Sequence, residues 1–379
     1  MRVLFTTWAW PSHFYPLVPL AWAFRCAGHE VRVASQPGFA EEIIESGLTA
    51  VAVGEDIDVA ASARETLGVR DDVRPSELRT GKGERAVRMF AGIAASMVDD
   101  LSAFAGAWRP DLVVYEPTTY AGPIVAAALG VPSVRHLWGI DFSYRAKDWE
   151  SAALRPLGAR FGLSSVDTIG TVTVDPCPAS LQLAAPVRRE DMRYVPYNGP
   201  GTVPDWLAEP PGKPRVCVTW GTSTGRLDPR LVLVRTVIEA ILDLDVEVIA
   251  AVRAGEADLL DGVRVVEDLP LNLLLPTCDA LVAQGGLGTM LTGLCSGLPQ
   301  LIIPQLPETV SNAEQLRATG AGTFLHREEA GSAAIRAAVA GLLEEPRYRE
   351  AAGKLKQEIE TRPSPLDVVT RLESLAGAR

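Results

Sequence analysis

Ala283-Gln284-Gly285-Gly286-Leu287-Gly288-Thr289 follows the apolar run Cys278-Asp279-Ala280-Leu281-Val282-Ala283. Together they read as a short buried strand, a glycine-rich turn and a helix opening over Thr289 to Cys295. A helix N-terminus carries partial positive charge and unpaired N–H groups, and glycines let an anion approach the backbone closely. The turn therefore suits a phosphate. Such a turn is equally compatible with a purely structural role in an α/β protein, so its surroundings decide.

Working outward, Arg215 to Trp220, Val246 to Ala251, Val263 to Val266, Ala280 to Ala283 and Leu301 to Ile303 are strand candidates separated by helical segments. This alternation predicts a parallel sheet. The first half alternates in the same way. Val3 to Thr7 is a strand, Pro16 to Ala27 a helix closed by Gly28, Glu30 to Ala34 a strand, and Phe39 to Ser46 a helix stopped by Gly47. A polar stretch from Glu55 to Arg85 precedes a helical segment to Trp108, the strand Asp111 to Tyr115 and the helix Ala121 to Leu129. The halves also echo one another. Ala128-Leu129-Gly130-Val131-Pro132-Ser133-Val134 resembles Cys295-Ser296-Gly297-Leu298-Pro299-Gln300-Leu301, each a helix end, a glycine cap and a proline at a strand start.

A length of 379 residues fits two such domains. The predicted organisation is α/β with two Rossmann-like domains: residues 1–196, a proline- and glycine-rich linker at 197–212, a second domain at 213–360, and a last helical stretch at 361–379 that returns to the first domain. With 47% hydrophobic and 22% charged residues the chain is an ordinary globular protein. A net charge of −11 is the wrong sign for a partner held by nucleic-acid phosphates or an anionic membrane surface. The five cysteines lack a CxxC, which argues against a disulfide framework or zinc site and predicts a reducing, cytoplasmic setting. Prolines 11, 16 and 19 interrupt the apolar start, against a signal peptide.

His13 lies in the predicted loop after the first strand, on the rim where open α/β sheets bind ligands. Histidine is suited to accept a proton from a hydroxyl near neutral pH, and such help is worth roughly 100- to 10,000-fold in rate. Glu116 directly follows another strand and could fix the tautomer of His13; as a structural residue it would be an N-cap or loop carboxylate. Gly221-Thr222-Ser223-Thr224-Gly225 follows the strand ending at Trp220, so Thr222 is a candidate to clasp a diphosphate with the 285–288 turn. Glu308 and Thr309 follow a further strand and could meet sugar hydroxyls. Phe14, Trp138, Phe142 and Trp149 are candidates for an apolar acceptor pocket and equally for core or lid. No histidine–carboxylate cluster has metal-ligand spacing.

In this order, MRVLFTTWAWPSHFYPLVPLAWAFRCAGHEVRVAS, WRPDLVVYEPTTYAGPIVAAALGVPSVRHLWG, DPCPASLQ, MRYVPYNGPGTVPDWL and PLNLLLPTCDALVAQGGLGTMLTGLCSGLPQLIIPQ resemble, over nearly the whole chain, the two-domain (GT-B) nucleotide-sugar glycosyltransferases. The similarity is to the deoxysugar transferases of actinomycete polyketide-antibiotic pathways, macrolide enzymes such as the spinosyn rhamnosyltransferase among them. It implies a first domain for an apolar acceptor, a second for a dTDP-sugar co-substrate, and inverting transfer without metal or other cofactor. His13 falls on the family's catalytic histidine and Glu116 on its orienting acid, commonly Asp. The diphosphate would rest on Gln284, Gly285, Gly286, Gly288, Thr289 and Thr222, and the base near Leu269 and Pro270.

This chain departs from the family at three places. Ala283 and Gln284 stand where relatives often have two histidines, so a phosphate bond from Gln284 is worth about 0.5–1.5 rather than about 1.5–3 kcal/mol. Thr292 stands where many UDP-sugar enzymes have Glu, which favours a thymidine donor. Glu308-Thr309 replaces the usual Asp-Gln, which points to an altered sugar. A homodimer and a cytochrome-P450-like activator protein are left open, as are a catalytically silent binding protein of the same fold and a nucleotide-sugar epimerase or hydrolase. A nicotinamide enzyme is disfavoured, because Val3 to Thr7 is not followed by GxGxxG.

Overall fold

The structure, a computed structural model, describes residues 1–58, 61–62, 82–227, 231–252 and 263–377. Most of the polar stretch from Glu55 to Arg85 lies outside the described residues. The chain divides into two compact units. The first comprises Met1–Cys177, Leu183–Val195 and the segment from Arg362, and the second comprises Pro178–Gln182 and Pro196–Thr361.

The first unit is built on seven strands: β1 (Arg2–Thr6), β2 (Glu30–Ser35), β3 (Ala50–Ala52), β4 (Leu112–Tyr115), β5 (Ser133–His136), β6 (Val172–Asp175) and β7 (Arg189–Asp191). Their order is β3-β2-β1-β4-β5-β6-β7, with every pairing parallel. β1 and β4 are continuous apolar runs because helices cover both faces of a parallel sheet. The 27-residue helix Lys82–Trp108 is one cover. It buries Val87, Ala94, Met97, Val98, Leu101 and Ala105, at helical spacing, in the same core as Leu4 and Val113. Full burial of a side chain such as Leu101 contributes about 1.5–3 kcal/mol.

The second unit holds β8 (Arg215–Thr219), β9 (Glu247–Val252), β10 (Arg264–Glu267), β11 (Ala280–Ala283), β12 (Gln300–Ile302) and β13 (Gly322–Phe324). All are parallel, in the order β10-β9-β8-β11-β12-β13. The first six strands of the first sheet repeat that topology. The internal echo has a structural basis: Gly130 and Gly297 both take left-handed φ, +65° and +72°, after the helices Ala121–Leu129 and Leu287–Cys295. The prolines that follow play one part twice, since Pro132 O accepts from Val113 N and Pro299 O from Leu281 N, each at 3.1 Å.

The chain comes back to the first unit at Arg362. Arg362 Nη2 donates to Asp175 O at 2.7 Å, and Arg193 N donates to Pro363 O at 2.7 Å. Ser364 then caps the last helix, Pro365–Ala376, by accepting from Asp367 N at 3.2 Å, while Asp367 Oδ2 accepts from Ser364 N at 2.8 Å. That helix buries Val368, Val369 and Leu372 and packs on the helix Val18–Cys26.

Two boundaries differ from the sequence expectation. Pro178–Gln182, assigned to the first domain, groups with the second unit, where Ser180 N donates to Glu358 Oε1 at 3.1 Å. The expected linker at 197–212 is also packed on the second unit. Asn198 Oδ1 accepts from Asn272 N at 3.0 Å, and the guanidinium groups of Arg215 and Arg264 lie 5.4 and 4.4 Å from the Trp206 ring. No described helix is long and apolar enough to cross a membrane.

Candidate active site

In each sheet the strand order reverses direction at one place, between β1 and β4 and between β8 and β11. Ligand crevices form outside the C-terminal ends of the strands at such switch points. His13 and Glu116 follow β1 and β4, while Gly221 and the Gln284–Gly288 turn follow β8 and β11. Both switch points thus carry residues marked by the sequence.

His13 is not in an open loop. Pro11 starts a one-turn helix, Pro11–Phe14, because its fixed φ suits a first helical position and its missing N–H costs nothing there. A 3₁₀ turn, Tyr15–Leu17, follows around Pro16. This rigid entry places His13 Nδ1 2.9 Å from Glu116 Oε2. The Glu116 side chain is fully buried, whereas that of His13 is 16% exposed. A buried carboxylate must be saturated with donors, and this one is. Oε2 accepts from Thr118 N at 3.0 Å, Thr118 Oγ1 lies 2.9 Å from both carboxylate oxygens, and Thr119 Oγ1 donates to Oε1. Since the carboxylate only accepts, His13 Nδ1 carries the proton and Nε2 holds a free lone pair. The imidazole is flanked by the indoles of Trp8 and Trp138, with centroids 4.8 and 4.4 Å away.

Behind the pair, Tyr120 donates to Glu150 Oε1 at 3.1 Å. Burial, reinforced by Glu150, pushes the Tyr120 hydroxyl far above its ordinary pKa, and burial raises that of Glu150. At the end of β5, His136 is wholly buried. Its Nδ1–H donates to Leu137 O at 2.8 Å, Nε2 has no partner, and burial holds its pKa down to about 4.

At the second switch point, Gly285 has φ +94°, and a Cβ there would lie 2.8 Å from Ile302 Cγ2. Only glycine fits. Gly286 is the N-cap of Leu287–Cys295 with no side chain capping it, so the first-turn N–H groups face the turn. The loop after β8 closes on the same place: a Cβ on Gly221 would lie 2.8 Å from Gln284 Nε2 and 3.8 Å from Thr289 Oγ1. Gln284 is buried, yet its Oε1 has no partner. Thr222 is exposed beside it, Leu269 is half-buried and Pro270 buried. Asn312 Nδ2 supports the turn from below by donating to Gly285 O at 2.8 Å. Among the described residues no group of three or more His, Cys, Asp or Glu is placed to hold a metal ion.

Several expected contacts fall elsewhere. Thr309 does not face a ligand: its Oγ1 accepts from Gln305 N and Leu306 N at 3.1 and 3.0 Å and donates to Leu306 O at 2.8 Å, which uses its whole hydrogen-bonding capacity to cap the helix Pro307–Thr319. Glu308 next to it is exposed. Phe14 is a core side chain, wholly buried edge-on to Phe39 at 5.7 Å. Trp138 and Phe142 are half-buried, and Trp149 is 45% exposed over Gly83. Trp8, Thr118, Thr119 and Asn312 went unnoticed in the sequence. Two hydroxyls just after a strand-end carboxylate, in Glu116-Pro117-Thr118-Thr119, were the available signal.

Comparison with known proteins agrees with this architecture. The family model of the erythromycin biosynthesis protein CIII-like N-terminal domain matches residues 22–221, and that of the C-terminal domain matches residues 235–375. Aclacinomycin-T 2-deoxy-L-fucose transferase of Streptomyces galilaeus is 37% identical, over 100% of this chain and 96% of its own length. The glycosyltransferase VinC, solved in complex with dTDP, superposes with TM-score 0.87 at 34% identity, covering 100% of both chains. The spinosyn rhamnosyltransferase SpnG, solved with spinosyn aglycone, has TM-score 0.85 at 32% identity over 98% of this chain and 100% of that one. Two glycosyltransferase-type Rossmann units and these matches together place the chain in the erythromycin biosynthesis protein CIII-like family of glycosyltransferases.

Proposed function

We propose that the chain transfers a deoxysugar from a dTDP-sugar to a hydroxyl of an apolar polyketide-type aglycone, with inversion at the anomeric carbon. The observation that carries this reading is the 2.9 Å contact between His13 Nδ1 and the buried Glu116 carboxylate. It leaves Nε2 as the base. Nε2 takes the acceptor's hydroxyl proton, the oxygen attacks the anomeric carbon through an oxocarbenium-like state, and the bond to the diphosphate breaks on the opposite face. Glu116 stabilises the imidazolium that forms.

The departing diphosphate gathers charge where Gly285, Gly286, Gly288 and Thr289 present backbone N–H groups at a helix N-terminus, with Thr222 and Gln284 alongside. This nest supplies the stabilisation of the leaving group. The thymidine preference is supported by Thr292, which is 1% exposed and donates its hydroxyl proton to Gly288 O at 2.7 Å. It offers no carboxylate to a ribose. The base is proposed to rest near Leu269 and Pro270, and Glu308 to meet the sugar. Trp138, beside His13, and Phe142 and Trp149 provide aromatic surface for the aglycone.

The test is transfer from dTDP-deoxysugars to a panel of macrolactone and anthracyclinone aglycones, with the product anomer read by NMR. An inverted anomer, lost in His13→Ala, supports the proposal. A retained anomer, or undiminished transfer by His13→Ala, defeats it. Release of free sugar without an acceptor would favour a hydrolase.

A further inference from the structure

Thr118 and Trp8 are joined to the His13–Glu116 pair by hydrogen bonds that a purely packing role does not require. Trp8 Nε1–H donates to Thr118 Oγ1 at 2.9 Å, and Trp8 N donates to Thr119 Oγ1 at 3.1 Å. Both threonine hydroxyls in turn reach the Glu116 carboxylate. Thr118 Oγ1 also lies 3.5 Å from His13 Nδ1. One hydroxyl therefore touches the indole, the carboxylate and the imidazole.

The direction of these bonds follows from donor chemistry. Indole N–H can only donate and a carboxylate can only accept. Trp8 occupies one lone pair of Thr118 Oγ1, so the single hydroxyl proton is directed to Glu116. What the hydroxyl then presents to His13 is its remaining lone pair. Nδ1 of His13 thus meets acceptors from two groups, Glu116 and Thr118, and a proton on Nδ1 satisfies both. Were the hydroxyl free to rotate, it could donate to an unprotonated Nδ1 and allow the other tautomer, which has no lone pair on Nε2 for an incoming hydroxyl.

We infer that Trp8 and Thr118 are positioning residues that fix the polarity of a chain running from Trp8 through Thr118 and Glu116 to His13, and so hold His13 in the Nδ1–H tautomer. The inference rests on the proposal that His13 is the base, but it can fail separately. Both residues are buried, with Trp8 3% and Thr118 8% exposed, so water does not substitute freely for either.

The experiment is long-range ¹H–¹⁵N correlation of the histidine rings in the full ¹⁵N-labelled chain, at a pH where the rings are neutral, with His13 assigned by the signal lost in His13→Gln. Wild type and Thr118→Ser are expected to show an unprotonated Nε2. In Thr118→Val the Glu116 carboxylate loses the hydroxyl donor that holds it against Nδ1, so both ring nitrogens move toward averaged positions, and kcat falls while KM for the dTDP-sugar holds. Unchanged ring signals in a folded Thr118→Val overturn the inference. Should that variant fail to fold, Trp8→Phe removes the indole donor and keeps the hydroxyl; averaging is again expected, and its absence is decisive against. A wild-type tautomer pattern alongside full transfer by His13→Ala would instead remove the base assignment.

Discussion

The two switch points share a topology and use it oppositely. In the proposed site beside β1 and β4 the groups are side chains: a histidine, a buried carboxylate, two threonines and two indoles. Beside β8 and β11 they are mostly backbone, in a turn where Gly285 leaves no room for a side chain. A proton acceptor needs a group that changes charge, and this demands a side chain with its tautomer held. A diphosphate keeps its charge throughout binding, so fixed N–H dipoles serve it without any titrating partner.

The largest effect that would break this comparison is on turnover. His13→Ala is expected to lower kcat roughly 100- to 10,000-fold while leaving dTDP affinity unchanged, as steady-state rates and calorimetry would show. Weakened dTDP binding would mean that the two sets of groups are not separable. A second effect concerns pH. Burial lowers the pKa of His136 in the folded chain to about 4 from its ordinary 6.5, so the unfolded chain takes up the proton first as pH falls. The contribution of His136 to stability is fully present above pH 6.5 and falls by about 3 kcal/mol as pH drops toward 4, from 1.36 kcal/mol per unit. Denaturant melts of wild type and His136→Phe across that window should diverge; parallel curves would place the acid lability elsewhere.

Gly285→Ala probes the backbone half. With φ +94° and Ile302 Cγ2 2.8 Å from any Cβ, the substitution should cost about 1–3 kcal/mol in thermal or denaturant unfolding and displace the nest. An unchanged midpoint would show that the turn tolerates a side chain. The smallest effect belongs to Gln284, whose buried side chain lies beside the turn. Gln284→Ala should weaken dTDP by about 0.5–1.5 kcal/mol, equally at every pH from 6 to 8, because an amide does not titrate there. A pH-dependent loss would point to an ionising partner.

Much of this was legible in the sequence because local signals and tertiary structure agree. Gly130-Val131-Pro132 and Gly297-Leu298-Pro299 mark helix end and strand start by backbone chemistry alone, and both strands form where the prolines place them. His13 and Glu116, 103 residues apart, meet because β1 and β4 are neighbours, a long-range fact that strand order determines and local sequence does not. Thr309 was misjudged because its position after a strand says nothing of whether its hydroxyl faces outward or caps its own helix. Phe14 misled in a similar way, since one turn of helix separates an exposed ring from a core one. Thr118 carried only the weak signal of a hydroxyl just after a strand-end carboxylate, and Trp8 none, as their roles exist only once β1 and β4 are side by side.

The central claim is that the donor is held by the second unit's backbone turn and the proton by the first unit's side chains. It is tested most directly by titrating dTDP into wild type, His13→Ala and Gly286→Trp in parallel by calorimetry. The account predicts equal binding by wild type and His13→Ala, and none by Gly286→Trp, whose indole would fill the space beside Gln284 Nε2, 3.1 Å from a Cβ at that position. Binding that survives Gly286→Trp, or disappears with His13→Ala, would contradict it.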